Sequence, residues 1–360
     1  MTYIGAEVII SPLGRTTKEN WDALCANQSG ISLVSDAGFD HADLYLSKIL
    51  DQPHTRTFEN LLLDAMTAIA KQIDPAVIPS NRTIVLVSST KGELNEHITD
   101  QFGKSIAALV TRFGFVNQPV VISNACISGV LAINAAQQFI EANIYDHAIV
   151  IGCDVISDFV VYGFQSLFAI SSEPCAPFDV ARKGVTIGEG CGAVVVSNAP
   201  DIFNETALQL LPGTSANDAN HISGPSRTGE GLFRSIKRTL DLSKIEASEI
   251  DFISAHGTAT LYNDEMESIA FDRMGLNEVP LNSFKGYFGH TLGAAGVIET
   301  AASMQTIRHG VLLKSLGYAE PGTSKPLNII TENVRKPVRT ILKTASGFGG
   351  GNASLIIRSL

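Results

Sequence analysis

Thr83-Ile84-Val85-Leu86-Val87-Ser88 is a short, mostly β-branched run followed by small residues and Gly92, and 165 residues beyond that glycine Gly257 closes a second run, Ile250-Asp251-Phe252-Ile253-Ser254-Ala255. Side chains branched at Cβ suit a pleated strand, and the small residues after each run mark a turn. Two more pairs recur in the same order. Pro119-Val120-Val121-Ile122-Ser123 leads through a small-residue turn into a helical stretch from Gly129 to Glu141, with Val130, Ile133, Ala136 and Phe139 at helical spacing. Pro280-Leu281-Asn282-Ser283-Phe284 leads likewise through Gly289 into a helical stretch from Ala294 to Ile307. Gly188-Glu189-Gly190-Cys191-Gly192 precedes the strand Ala193-Val194-Val195-Val196, and Gly347-Phe348-Gly349-Gly350-Gly351 precedes Ala353-Ser354-Leu355-Ile356-Ile357, the second strand starting 160 residues after the first. Three landmarks in one order at nearly one offset predict a duplication with its seam near Asn198 to Thr206, hence halves of 1–200 and 201–360.

Apolar strands alternating with helices imply sheets buried on both faces, an α/β layered class. Two such halves packed through their sheets enclose a helix layer. Because ligands of α/β folds collect at the carboxyl ends of strands, the site is expected at the seam, built from equivalent turns of both repeats. No Pro/Ser-rich tether or charge block separates the halves.

Composition narrows the class. Over 360 residues, 26 Lys and Arg face 36 Asp and Glu, a formal charge of −10, which disfavours a nucleic-acid binder. With 45% apolar and 17% charged residues the chain can bury a large core. The five cysteines, Cys25, Cys126, Cys153, Cys175 and Cys191, include no CxxC pair and no metal-ligand spacing, so neither a disulfide framework nor a metal site is expected. Met1 to Gly14 lack the features of a secretory signal, and no stretch has the length of a membrane span. A cytoplasmic protein with reduced thiols is the expectation.

Cys126 lies in Asn124-Ala125-Cys126-Ile127-Ser128-Gly129, between a buried-looking strand and a helix start. A helix N-terminus there would favour thiolate over thiol, although a buried cysteine packing as a small hydrophobe fits the position equally. His256 and His290 each follow a second-half strand. Singly each suits a structural role. Paired beside a cysteine turn, two neutral imidazoles can each donate an N–H to one developing oxyanion. Lys285 could fix their tautomers and would need a carboxylate, for which Glu267 is the better candidate and Asp264 the other; a solvated charge cluster is the alternative. The turn Gly347 to Asn352 precedes a strand, the wrong context for a phosphate cradle. It allows close backbone approach, so that the Phe348 N–H could join that of Cys126 as a second oxyanion hole.

The constellation resembles the elongating, Cys-His-His type of β-ketoacyl-[acyl-carrier-protein] synthase, of the thiolase-like superfamily. The resemblance runs from Gly5–Gly14 through Asn124-Ala125-Cys126, Ala176-Pro177-Phe178-Asp179 with Arg182, Gly188-Glu189-Gly190, His256-Gly257-Thr258-Ala259-Thr260 with Asp264, Lys285–Gly296, to Gly347–Asn352. It implies a thiolase-like fold, two duplicated α/β halves in a five-layered αβαβα arrangement. It also implies that Cys126 accepts an acyl chain as a thioester, that His256 and His290 promote decarboxylation of a malonyl thioester, and that the product is a 3-oxoacyl chain two carbons longer. Lys285 with Glu267 would orient the histidines, Thr258 and Thr260 would hydrogen-bond phosphopantetheine, and Phe348 would gate the entrance. The family needs no metal or redox cofactor, its substrates being carried on the phosphopantetheine of acyl-carrier protein. The chain departs from the family at Ile127, bulkier than usual beside the thiol, at Ser346, where Phe is common, and between Leu33 and Phe58, where it is short.

A degradative thiolase would carry a second cysteine in residues 340–360, which have none, and a chain-initiating synthase would carry Asn in place of His290. The reading from another class is a noncatalytic, chain-length-factor partner subunit, which typically lacks the nucleophile present here. The resemblance implies a homodimer, with a heterodimer containing a ketosynthase-like paralogue as the other arrangement. Carrier protein is acidic, so a local basic patch is expected at the entrance, with Arg182 as the docking candidate.

Overall fold

In a computed structural model the chain is described over residues 1–49, 57–94, 100–218 and 224–360; the short stretch between Leu33 and Phe58 lies partly outside these. The first half contributes β1 (Tyr3–Ile10), α1 (Thr17–Cys25), the ribbon β2 (Ser32–Val34) and β3 (Leu44–Leu46), α2 (Phe58–Ile69), β4 (Thr83–Ser88) and α3 (Gly103–Phe113). It continues with β5 (Val120–Ile122), α4 (Ser128–Glu141), β6 (His147–Asp154), α5 (Asp158–Ser166) and β7 (Gly190–Ser197). The second half contributes β8 (Leu208–Asn217), α6 (Glu230–Ser243), β9 (Phe252–Ser254), α7 (Leu261–Arg273), β10 (Leu281–Asn282) and α8 (Lys285–Phe288). It ends with α9 (Ala295–His309), the ribbon β11 (Val311–Leu312) and β12 (Val334–Arg335), β13 (Thr340–Ser346) and β14 (Gly351–Arg358). Each landmark read from the sequence falls on one of these elements.

Ten strands are ordered β10-β9-β13-β14-β8-β1-β7-β6-β4-β5. Outward from β1 the pairings run antiparallel to β7 and β6, then parallel to β4 and β5; outward from β8 they run antiparallel to β14 and β13, then parallel to β9 and β10. The same five-strand pattern therefore occurs twice, joined where Tyr3 pairs with Gln209 and Ile4 with Leu208.

Strand periodicity distributes the core. In β4, Val85 and Val87 face α2 and α3 with Phe58, Leu62 and Leu109, whereas Ile84 and Leu86 face the central helices α4 and α9. Both faces are buried, which is why the run is apolar throughout. Val130, Ile133, Val297 and Ile298 of α4 and α9 share one core with Val194 and Val196 of β7 and with Leu355 and Ile357 of β14. On the far side, Leu232 and Ile236 of α6 and Met266 and Phe271 of α7 cover Ile253, Leu342 and Ile356. The result is five layers with α4 and α9 in the middle, where each fully buried large aliphatic contributes about 1.5–3 kcal/mol. The two central helices meet at glycines: a Cβ on Gly296 would stand 2.5 Å from the Val130 nitrogen, and one on Gly129 2.7 Å from the Val297 nitrogen.

Candidate active site

Cys126 sits between β5 and α4, in a turn where Ala125 takes a left-handed φ of 45°. The Ser128 hydroxyl closes the turn, donating to the Ala125 carbonyl (2.6 Å) and accepting from the Asn124 N–H (2.7 Å). Gly347 lets the last loop lie against it; a Cβ there would be 3.1 Å from the Cys126 nitrogen. The backbone N–H groups of Phe348 and Cys126 both act on the Cys126 sulfur to favour its thiolate, which puts these two donors beside the thiol. The expected thiolate does not follow. Burial pushes the thiol up to about 11, against the opposing pull of Lys285 and the two N–H groups. The helix terminus is outweighed because Cys126 is buried, only 7% exposed.

His290 Nε2 lies 3.0 Å from Cys126 Sγ, across the seam between the halves. The Leu292 N–H donates to His290 Nδ1 (3.2 Å), which assigns the ring proton to Nε2. The His256 ring stands edge-on to that of His290 with centroids 5.2 Å apart, and its Nδ1 is 3.3 Å from Lys285 Nζ, which leaves its Nε2 to donate as well. Desolvation, then the Lys285 ammonium, hold both imidazoles well below the usual histidine range. They are neutral donors. Sγ and one nitrogen of each ring lie within 4.8 Å of one another, close enough in bare geometry for a metal ion. The donor set opposes that use: both outward nitrogens carry the proton, and the Lys285 ammonium lies beside them.

The carboxylate partner of Lys285 is not Glu267. Lys285 Nζ pairs with Glu299 Oε1 at 2.7 Å, and Lys343 Nζ takes Glu299 Oε2 at 2.5 Å, all three side chains being buried. Burial alone would raise the Glu299 carboxyl, but its two ammonium partners hold it below the usual range. Glu267 is taken by backbone instead, accepting from the N–H groups of His256 (2.9 Å) and Gly257 (2.6 Å) and from Asn263 Nδ2 (3.0 Å). Burial, then the nearby Asp264 carboxylate, push it up to about 7. Asp264 accepts from the N–H groups of Phe178, Thr258 and Ala259, so the two acids of α7 brace the loop that carries His256.

Arg182 is corrected too. Its Nη1 donates to the carbonyls of Asp179 (2.8 Å) and Gly322 (2.5 Å), and with the residue 8% exposed it is an internal brace, unavailable to a docking protein. Ile127 is buried in the core beside the central helices.

The sequence reading missed three buried charges. Asp154, at the end of β6, accepts from the Gly293 N–H (2.7 Å) and so ties the loop after His290 to the first half. Glu299 and Lys343 are the other two. Each interrupts an apolar run, and that interruption was the available signal.

These groups open on a cavity of about 490 Å³, within the range of small-molecule sites, lined in part by Cys126, His256, His290, Thr258, Thr260 and Phe348. The Thr258 and Thr260 hydroxyls lie 2.9 Å apart. Phe348, 37% exposed, stacks on Phe164 with centroids 5.5 Å apart.

Comparison with known proteins gives the family. Residues 81–201 match the model of the β-ketoacyl synthase N-terminal domain, and residues 210–319 that of the β-ketoacyl synthase C-terminal domain. The chain is 29% identical to a putative mitochondrial 3-oxoacyl-[acyl-carrier-protein] synthase of Schizosaccharomyces pombe, over 99% of this chain and 98% of that protein. It is 31% identical to 3-oxoacyl-[acyl-carrier-protein] synthase 2 of Rhizobium meliloti, over 66% of this chain and 60% of that one. Among solved structures, a chain of the ketosynthase and chain length factor complex from Xenorhabdus doucetiae superposes with a TM-score of 0.89 at 27% identity, over 100% of this chain and 98% of that chain. The chain belongs to the β-ketoacyl synthase family, whose members are acyltransferases.

Proposed function

We propose that this chain condenses an acyl thioester with malonyl-[acyl-carrier protein], releasing CO2 and forming 3-oxoacyl-[acyl-carrier protein]. The observation that carries the proposal is the 3.0 Å contact of His290 Nε2 with Cys126 Sγ, with His256 beside it. Cys126 attacks the acyl thioester and takes the chain, while the phosphopantetheine sulfur leaves with the thiol proton. Malonyl thioester then enters past Phe348, and Thr258 and Thr260 hydrogen-bond its pantetheine arm. As the bond to the carboxylate breaks, CO2 departs and the electron pair passes to the thioester oxygen, which receives the Nε2–H of each histidine. Neutral donors suit an enolate whose charge must return to carbon. The carbanion attacks the acyl-Cys126 carbonyl, whose oxyanion meets the N–H groups of Cys126 and Phe348. Collapse expels the Cys126 thiolate, which takes a proton from water entering the open cavity. The two halves, 1–200 and 201–360, derive from a duplication in this reading, the first supplying the sulfur and the second the imidazoles.

Phosphopantetheine carries the substrates, and the chemistry calls for no redox cofactor. Acyl-carrier protein is the partner, in keeping with the names of the relatives. A homodimer is the assembly the family resemblance implies, and a pairing with a ketosynthase-like paralogue is the other arrangement, in keeping with the Xenorhabdus complex of a ketosynthase with its chain length factor. Five unpaired thiols favour a cytoplasmic location. The chain-length-factor alternative predicts no covalent step. Intact-protein mass spectrometry after incubation with acyl-loaded carrier protein separates the two: the enzyme gains one acyl mass, lost in Cys126→Ala, whereas a scaffold gains none with any chain tested.

A further inference from the structure

Lys343 lies in the middle of β13 between residues that pack into the core, and it is 0% exposed. Its Nζ has Glu299 Oε2 at 2.5 Å and the carbonyl oxygens of Thr344 at 2.8 Å, Ser254 at 3.3 Å and Ala255 at 3.5 Å. Every one of these partners is an acceptor. Burial pulls the Lys343 ammonium below the usual lysine range against the opposing hold of Glu299, yet a neutral amine would turn its lone pair toward an oxygen, so the acceptor shell favours the ammonium. Lys285 approaches the same carboxylate from the other side, with Glu299 Oε1 at 2.7 Å and the His256 carbonyl at 2.5 Å. Two ammonium groups therefore share one carboxylate and together gather the carbonyls of residues 254, 255 and 256, the strand end from which the His256 ring projects.

We propose that Lys343 is a positioning residue for the imidazole pair: it locks Glu299 and the end of β9 so that Lys285 faces His256 Nδ1 and the Nε2–H is left for the substrate thioester. The proposal rests on the condensing activity proposed above. Lys343 has a second effect through charge. The groups facing it are Glu299 of α9, Lys285 of α8, Glu267 of α7 and the backbone of β9. Below about pH 7, where burial keeps Glu267 largely protonated, two lysines against Glu299 leave one net positive charge behind the histidines, and Lys343 is among the groups that disfavour protonation of both His256 and His290. Without Lys343 that excess vanishes, Glu299 is free to turn, and His256 loses its fixed tautomer.

The test is 15N NMR of the imidazoles in the full chain across pH 5–8, for the wild type, Lys343→Met and Lys343→Arg. For Lys343→Met the proposal expects the imidazolium fraction of His256 at a given pH to rise about tenfold, the effect of one unit of pKa. It also expects the Nε2–H tautomer to give way to a mixture, and condensation to fall more at pH 6 than at pH 8. Lys343→Arg keeps the charge and must keep the wild-type titration. An unmoved titration in Lys343→Met, or one that moves as far in Lys343→Arg, overturns the proposal. Should Lys343→Met not fold, the arginine variant still decides, because a moved titration there has the same force. Acylation of Cys126, read separately by mass, distinguishes the two failures: no adduct in the wild type sinks the condensing activity, whereas an adduct with unmoved imidazoles sinks only the role of Lys343.

Discussion

Asp154→Ala is the most informative perturbation of the join between the halves. The carboxylate is fully buried and accepts from Ser89 Oγ (2.8 Å), the Thr90 N–H (3.0 Å), Thr90 Oγ1 (2.9 Å), Lys91 Nζ (3.1 Å) and the Gly293 N–H (2.7 Å). The hydroxyls can rotate to other acceptors. The two backbone N–H groups and the Lys91 ammonium cannot, so the loss is that of a broken buried pair, about 3–5 kcal/mol. For a chain of 360 residues that lowers the thermal midpoint by about 4–7 °C. Function suffers by a separate route. Gly293 follows His290 by three residues, and a shift of about 1 Å in a reacting group costs on the order of 100-fold in rate. Thermal unfolding and single-turnover condensation, measured on one preparation, give both numbers. Asp154→Asn keeps the volume but turns an N–H toward donors, so it should fall between the two. A midpoint within about 2 °C of wild type, together with condensation within about threefold, would refute the argument that Asp154 supports the His290 loop.

Three further outcomes follow from the same geometry. Gly296→Ala forces a methyl to within 2.5 Å of the Val130 nitrogen at the crossing of α4 and α9, and overpacking between two backbones should destabilise by about 3 kcal/mol or more, seen as loss of soluble protein or a large fall in melting temperature. The Cys126 thiol, pushed up to about 11 by burial, loses its proton as pH rises, so the rate of iodoacetamide alkylation at Cys126 should climb about tenfold per pH unit from 7 to 10; a plateau near pH 8 would contradict it. Phe348→Ala keeps the backbone N–H at the sulfur but removes the exposed ring stacked on Phe164, so acylation of Cys126 should persist while hydrolysis of the acyl-enzyme speeds up; intact mass against time reads both.

Much of this molecule was legible in its sequence. The strand runs at Thr83 and Ile250 and the helices after Pro119 and Pro280 were readable because strands buried on both faces must be apolar throughout. Cys126, His256 and His290 were readable as candidates because each follows a strand run, and the structure brings the three together. The charges behind the histidines were misassigned because sequence proximity is a poor guide to pairing inside a core. Glu267 lies near His256 along the chain, but from α7 it reaches the backbone of the His256 loop, whereas Glu299 of the central helix lies directly under Lys285. Arg182 was read as surface because arginine usually is, and its burial depends on carbonyls from Gly322 that no local pattern reveals. The direction of the Cys126 shift was lost for a similar reason: a helix start is visible in sequence, but the desolvation that outweighs it is not.

Carbon dioxide released from carboxyl-labelled malonyl-[acyl-carrier protein], counted per acyl-Cys126 consumed, tests most directly whether one sulfur and two imidazoles act on a shared thioester. Wild-type protein should give one CO2 per adduct lost. His256→Ala and His290→Ala should retain the adduct while CO2 release slows by about 100-fold or more. Release at the wild-type rate from either histidine variant would contradict the account.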